Sequence, residues 1–235
     1  RWQKDKSWGG YYVTTLHDYK DHNLQNALIY SDNIYFAKAA LKIGKDTLKD
    51  QFDNLGFGKT MDFTFGLTAS SYGSDGFTSE IQLADSGYGQ GKMMVNPVHM
   101  AAIYTAFSND GNMIKPYLIR EKQNKKQILK ENVFSKDAVN TVNTAMRQVI
   151  SNPNGTGHAA NIEGIQLRGK TGTAEIKQTQ TDTKGTELGW FVTIMPKTNK
   201  KDALELISMT EDVKKRGGSG YVVNKTKKIL QEYLQ

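Results

Sequence analysis

A chain of 235 residues, 37% hydrophobic and 10% aromatic, can bury a sizeable core as one large domain or two lobes, and nothing in its composition points to a disordered polymer. It has no cysteine, which excludes disulfides, thiolate metal sites and thiol nucleophiles. The net charge of +7 is spread over short lysine clusters at 122–130, 197–201, 214–216 and 225–228, which read as solvated loops and helix faces; no zinc-finger, RRM-type or KH-type pattern supports a nucleic-acid partner.

The chain begins Arg1-Trp2-Gln3-Lys4, with neither Met nor an apolar signal segment, and is read as an internal piece of a longer protein. No apolar run is long enough to span a bilayer. Residues 1–22 read as irregular. Residues 23–30 read as a short helix capped by Asn23, with Leu24, Leu28 and Ala27 facing inward.

Ser31-Asp32-Asn33 interrupts this pattern. All three side chains compete for backbone hydrogen bonds and favour caps and turns. A second helix is predicted over 34–43 with Gly44 as its stop, and a third over 47–54 with Asp46 as cap and Gly56 after it. Residues 56–92, rich in Gly, Ser, Asp and aromatics, read as one long connection, and long ordered connections are often functional.

Asn96-Pro97 opens the next helix, with a capping residue and then Pro at the first helical position. It is expected to run to about Ser108 and end at Asn109-Asp110-Gly111. Short extended pieces surround Pro116. Ser135 caps a longer helix through Ile150, with Val139, Val142, Ala145, Met146, Val149 and Ile150 in one stripe.

After the loop Asn152-Pro153-Asn154-Gly155-Thr156-Gly157 the character changes. Three strands are predicted at 165–177, 188–195 and 203–210, joined by polar segments at 178–186 and 197–202 and therefore antiparallel neighbours. A terminal helix over 219–234 places Val222, Thr226, Ile229, Leu230 and Tyr233 near one face. The reading is an α+β chain: a mainly helical lobe at 1–160, then three strands and a covering helix at 161–235.

Metal ligation finds no support, because the four histidines (His17, His22, His99, His158) lack ligand spacing; His99 reads as packing or surface. No G-x-S-x-G nucleophile elbow is present. Gly87-Tyr88-Gly89-Gln90-Gly91-Lys92 is Gly-rich and ends in Lys but lacks the phosphate-loop spacing. Two motifs remain. Ser31-Asp32-Asn33 lies at a helix junction, and Lys170-Thr171-Gly172 lies on a segment that reads as an edge strand. Singly, one is an ordinary cap and the other an ordinary bulge. Jointly and in this order, chance would produce them in about one chain in a thousand at ordinary residue usage.

With these motifs the chain resembles the transpeptidase domain of class B penicillin-binding proteins, and within them the low-affinity, methicillin-resistance-type group. The resemblance runs over essentially the whole chain. It is carried by Trp8-Gly9-Gly10-Tyr11, by Ser31-Asp32-Asn33-Ile34-Tyr35-Phe36-Ala37, and by Leu83-Ala84-Asp85-Ser86-Gly87-Tyr88-Gly89-Gln90-Gly91. Asn96-Pro97, Asn109-Asp110-Gly111, Lys170-Thr171-Gly172-Thr173-Ala174-Glu175 and Gly189-Trp190-Phe191 complete it. The family's nucleophile is the Ser of an upstream Ser-x-x-Lys, and no serine of this chain is followed by Lys three positions later. The chain therefore reads as the C-terminal part of such a domain, with a penicillin-binding/β-lactamase-like fold incomplete at its N-terminus and no activity by itself.

The resemblance implies a D,D-transpeptidase that cross-links peptidoglycan stem peptides ending in D-Ala-D-Ala through an acyl-serine intermediate, and that β-lactams acylate. Ser31 would relay a proton toward the leaving nitrogen, Asn33 would offer its amide to substrate and to the absent Lys, and Lys170 with Thr171 and Thr173 would hold the terminal carboxylate. The Thr173 backbone N–H would be an oxyanion-hole donor, Gly172 would keep the strand open to substrate, and Asp32 would be structural. No cofactor or metal is implied. Implied surroundings are the outer face of the bacterial cytoplasmic membrane, reached through an N-terminal anchor outside this chain, with cell-wall glycosyltransferases as partners. Two other readings stay open. A serine β-lactamase would carry Glu-x-x-Leu-Asn, which Glu80-Ile81-Gln82-Leu83-Ala84 matches except at its last position. A non-catalytic penicillin-sensing domain would keep the carboxylate-binding strand alone.

Overall fold

The computed structural model describes residues 1–63, 66–119, 125–176, 184–199 and 201–235. In chain order its elements are α1 (Leu24–Ile29), α2 (Asn33–Ile43), α3 (Lys45–Leu55), α4 (Glu80–Ser86), α5 (Pro97–Thr105), β1 (Met113–Ile114), β2 (Ile128–Lys130), α6 (Lys136–Ser151), β3 (Arg168–Ile176), β4 (Thr186–Met195), β5 (Leu204–Thr210) and α7 (Ser219–Leu234). Lys177, Lys122, Lys200 and most of the predicted 178–186 connection lie outside the described residues. The chain forms two compact units: a helical unit of Arg1–Asp18 with Asp32–Asn140, and a sheet unit of Tyr19–Ser31 with Thr141–Gln235.

In the helical unit, α2 starts where Asp32 turns its carboxylate onto the helix: Oδ1 accepts from Ile34 N at 2.8 Å and Tyr35 N at 3.2 Å. Ala37 and Ala40 bury one face of α2, and α4 approaches it closely. A Cβ built on Gly87 would lie 2.4 Å from Phe36 O and 2.7 Å from Ala40 Cβ, so only Gly fits there.

Two expectations change in this unit, and a third reading, packing or surface for His99, is decided. Helix α3 begins at Lys45 after Gly44 (φ +86°), without a side-chain cap, so Asp46 lies in the first turn and not at the cap. Its negative charge there faces the N-terminal end of the helix dipole. The supposed connection 56–92 contains α4, capped by Ser79 Oγ, which accepts from Gln82 N at 3.1 Å. His99 is buried, with Nδ1 2.8 Å from Ser70 Oγ and Nε2 2.8 Å from Leu55 O, which makes it a packing residue. Asn96 and Pro97 start α5 as expected, and β1 pairs antiparallel with β2. One core gathers Phe57, Tyr72, Ala102, Ile103, Ala106, Met113 and Val133, and a smaller one holds Trp8, Val13, Ala37 and Ala84.

The sheet unit has an antiparallel sheet of order β3-β4-β5, with β3 at one edge. Register places Lys170 opposite Val192, and Val192 opposite Ile207. Helix α7 covers the sheet with Val222, Val223, Thr226 and Leu230, and Thr226 Oγ1 donates to Ser208 Oγ on β5 at 2.8 Å. Ile229, expected inward, is 51% exposed, and Val223 fills the face in its place. Helix α6 contributes Ala145, Met146, Val149 and Ile150 as buried residues, as its stripe predicts. In α1 the fully buried residues are Ala27 and Ile29; Leu24 and Leu28 are only half-buried.

Candidate active site

Ser31 follows α1 directly and takes a left-handed conformation (φ +53°), while its N–H donates to Leu28 O at 3.3 Å. A non-glycine residue in that region costs roughly 1 kcal/mol or more and persists where neighbours hold it. The turn ends α1 after two side chains that anchor it. Asn23 Oδ1 accepts from Asn26 N at 2.9 Å, and Tyr30 stacks on Tyr19 at 4.6 Å.

Opposite Ser31 stands Lys170 of β3. Its Nζ donates to Ser31 Oγ at 2.8 Å and to Thr171 O at 2.8 Å. These residues are 139 positions apart in sequence, and both belong to the sheet unit. Burial holds the Lys170 ammonium well below the usual lysine range, down to about 8. Such an amine changes charge close to neutrality, which suits it to relay or hold a proton and to bind an anion.

Strand alternation places Arg168, Lys170 and Gly172 on one face of β3 and Gly169, Thr171 and Thr173 on the other. Thr171 is buried, and its Oγ1 donates to Thr156 Oγ1 at 2.7 Å. Thr173 is exposed. A Cβ on Gly172 would meet only Trp190 Cβ, at an ordinary 3.5 Å, so the protein's own packing does not require Gly there.

Thr156 is the residue that sequence reasoning missed. It lies in the Asn152–Gly157 loop, which folds back tightly on the end of α6. A Cβ on Gly155 would lie 2.1 Å from Val149 O, and one on Gly157 would lie 2.7 Å from Ile150 Cδ1. From this loop Thr156 N–H donates to Ile29 O at 3.2 Å, two residues before Ser31, while its hydroxyl accepts from Thr171, next to Lys170. The two glycines around it were a signal of close approach, but not of what is approached. Thr156→Val is expected to leave the Thr171 hydroxyl without its acceptor and to destabilise the protein by about 1–3 kcal/mol, with Thr156→Ser restoring most of the loss; chemical denaturation of the three proteins checks this.

Asp32 and Asn33 belong to the helical unit. Asp32 caps α2, as described above. Asn33 Nδ2 donates one of its two hydrogens to Thr14 O at 3.0 Å, which orients the amide and leaves its second N–H and Oδ1 to meet other partners. A separate cavity of about 690 Å³ in the helical unit is lined by Lys45, Lys49, Asp53, Phe57, Tyr72 and Phe77 among others, and by none of the predicted site residues. Within it Lys49 pairs with Asp53 at 2.6 Å, and Tyr72 OH donates to Asp53 Oδ1 at 2.6 Å.

With this geometry in hand, similarity to known proteins is informative. Residues 1–231 match the family model described as "Penicillin binding protein transpeptidase domain". "Penicillin-binding protein 3" of Bacillus subtilis is 41% identical over 231 residues, which cover 98% of this chain and 34% of that protein. "Peptidoglycan D,D-transpeptidase FtsI" of Escherichia coli K12 is 28% identical over 167 residues, 71% of this chain and 28% of that protein. The D,D-transpeptidase domain of a peptidoglycan glycosyltransferase from Eggerthella lenta superposes with a TM-score of 0.74 at 27% identity, over 90% of this chain and 53% of the solved one. PBPA of Mycobacterium tuberculosis shares the fold with a TM-score of 0.74 at 18% identity, over 91% of this chain and 49% of that one. The chain thus spans about a third of the length of the curated relatives it matches. Its α+β architecture, with helices and an antiparallel sheet, is that of the penicillin-binding fold, and the chain belongs to the penicillin-binding protein transpeptidase domain family.

Proposed function

We propose that this chain is part of a class B penicillin-binding protein, of the low-affinity methicillin-resistance-type group, that cross-links peptidoglycan stem peptides as a D,D-transpeptidase. The observation that carries the reading is the partly buried Lys170 ammonium on the Ser31 hydroxyl at 2.8 Å, in a chain of this family. The acyl-forming serine is supplied from outside this sequence, since no Ser-x-x-Lys occurs within it. That serine attacks the carbonyl of the penultimate D-Ala, the bond to the terminal D-Ala breaks, and an amine of a second stem peptide takes the acyl group. Ser31 passes a proton to the leaving nitrogen, with Lys170 holding the hydroxyl in place. The Lys170 charge, with Thr171 and Thr173, binds the terminal carboxylate, and the Thr173 N–H stabilises the oxyanion.

One detail of the geometry refines these roles. Because Thr171 donates to Thr156, its proton becomes available to a carboxylate only if the pair reverses, with Thr156 donating to Thr171. Asn33, its Nδ2 bound to Thr14 O, offers Oδ1 to the ammonium of the external Lys. The acting site lies on the outer face of the cytoplasmic membrane, where stem peptides and β-lactams meet it.

Fluorescent penicillin tests the reading. The full-length protein is expected to label stoichiometrically on a serine outside residues 1–235, with slow release, and the chain of 235 residues alone is expected to remain unlabelled by intact mass. Label on a serine within 1–235 would overturn the external nucleophile. Rapid hydrolysis of the drug by the full-length protein would favour a β-lactamase, and absence of label would leave a non-acylating domain.

A further inference from the structure

The motif Leu83–Gly91 and the opening segment Trp8–Tyr11 carry much of the family resemblance, yet neither enters the chemistry above. Within the helical unit they meet at Asp85. This carboxylate, 8% exposed near the end of α4, accepts two phenols on one oxygen: Tyr11 OH and Tyr88 OH each donate to Oδ1 at 2.5 Å. The chain from Gly87 to Gly91 wraps the same residue, with Gln90 N–H on Asp85 O at 3.0 Å and Gly91 (φ +71°) so near that a Cβ would lie 3.2 Å from Asp85 Cβ. Burial holds the carboxyl above its ordinary range and the two phenols oppose that shift.

Following Tyr11 along the chain leads to Asn33. The Tyr11–Thr14 segment is pinned at one end by the phenol on Asp85. Its middle is pinned by Val13, which exchanges backbone hydrogen bonds with Trp2 at 2.8 and 2.9 Å. At its far end, Thr14 O accepts from Asn33 Nδ2 at 3.0 Å. The helix that begins with Asn33 is meanwhile seated on α4 through the Gly87 contact with Phe36 and Ala40. Asp85 thus reaches Asn33 by two routes, through Tyr11 to the side-chain amide and through α4 to the helix backbone.

We propose that Asp85 is a positioning residue for Asn33, holding the 11–14 segment through Tyr11 so that Thr14 O fixes the Asn33 amide with Oδ1 outward. The inference rests on the role assigned to Asn33 in the proposed transpeptidase. Loss of the Tyr11 phenol would free the segment and let the amide turn, while the buried Asp85 keeps Tyr88 as a donor.

The test is a double-mutant cycle in the full-length protein, reading the first-order acylation rate by fluorescent penicillin together with the drug's dissociation constant. Asn33→Ala is expected to slow acylation. Tyr11→Phe is expected to slow it roughly 3- to 10-fold, the factor to which one hydrogen bond's net contribution corresponds, with the dissociation constant nearly unchanged. In the Asn33→Ala background, Tyr11→Phe should slow acylation no further. Equal slowing in both backgrounds, or none in the presence of Asn33, overturns the inference. An Asn33→Ala protein that acylates normally overturns instead the role given to Asn33, and the inference with it. Tyr11→Phe removes a single oxygen, so the readout does not depend on the fold surviving loss of Asp85 itself.

Discussion

Lys170→Met in the full-length protein is expected to slow acylation by fluorescent penicillin by roughly 10²- to 10⁴-fold, while leaving the melting temperature unchanged or higher. The two effects separate because of where the amine sits. Among the described residues its Nζ bonds only the Ser31 hydroxyl and the Thr171 carbonyl. Neither partner carries a charge to offset the desolvation of the ammonium, and its affinity for a proton falls to about 8. Below pH 8 the folded state carries this cost in full. The unfolded chain keeps the ordinary value of 10.5, so between about 8 and 10.5 it binds more protons than the native state, and stability rises with pH across that window. In Lys170→Met that rise should disappear.

Catalysis should respond with the opposite sign. If the ammonium holds the carboxylate, the second-order acylation constant, which reports the free enzyme, falls as pH rises through about 8. Flat kinetics from pH 6 to 10 would sink the role of the Lys170 charge. A melting temperature that drops sharply in Lys170→Met would show that the amine is structural.

Gly155→Val is expected to be the second large effect, here on stability as well as activity. Even the first added carbon would sit 2.1 Å from Val149 O, far inside contact distance, and that atom is backbone of α6 and cannot rotate away. The loop must therefore lift off the helix. The Gly157 N–H would lose its bond to Val149 O at 3.2 Å, and Thr156 would be carried away from both Ile29 O and Thr171 Oγ1. A cost of about 2–4 kcal/mol is expected in denaturant unfolding, the range of overpacking combined with broken buried hydrogen bonds. Acylation of the surviving folded fraction should also slow, because Thr156 ties the turn that holds Ser31 to the strand that holds Lys170. Wild-type stability in Gly155→Val would show that the loop is pliable and that Thr156 holds nothing in place.

How much of this could be read without coordinates varies from element to element. Helix α7 was legible to its ends, and α5 and α6 nearly so, because long periodic stripes and strong caps (Asn96-Pro97, Ser135) act locally. That Ser31-Asp32-Asn33 favours a cap or turn was legible for the same reason, though not that Asp32 is the one of the three that caps α2. Helix α4 was not, because seven residues, Glu-Ile-Gln-Leu-Ala-Asp-Ser, are too few to show a period among glycines and aromatics. It is held by its seat on α2 at Gly87, which only the packed chain supplies. The exchange of Ile229 for Val223 on the inner face of α7 likewise reflects where the sheet lies. Periodicity marks an apolar stripe but does not say which edge of it a neighbour covers.

The chemistry divides along the same line. By itself the sequence determined which residue types are on hand, the two tripeptides and their order, and the absence of Ser-x-x-Lys, since these are matters of covalent order and local preference. Only the tertiary structure decided that Lys170 meets Ser31 across 139 residues, and that burial rather than an acidic neighbour sets its proton affinity. It also turned Thr171 toward Thr156 and gathered Tyr11, Asp85 and Tyr88 on one oxygen. The physical reason is that desolvation and hydrogen-bond direction depend on what lies within a few ångströms in space, and for these groups the neighbours come mostly from distant stretches of the chain.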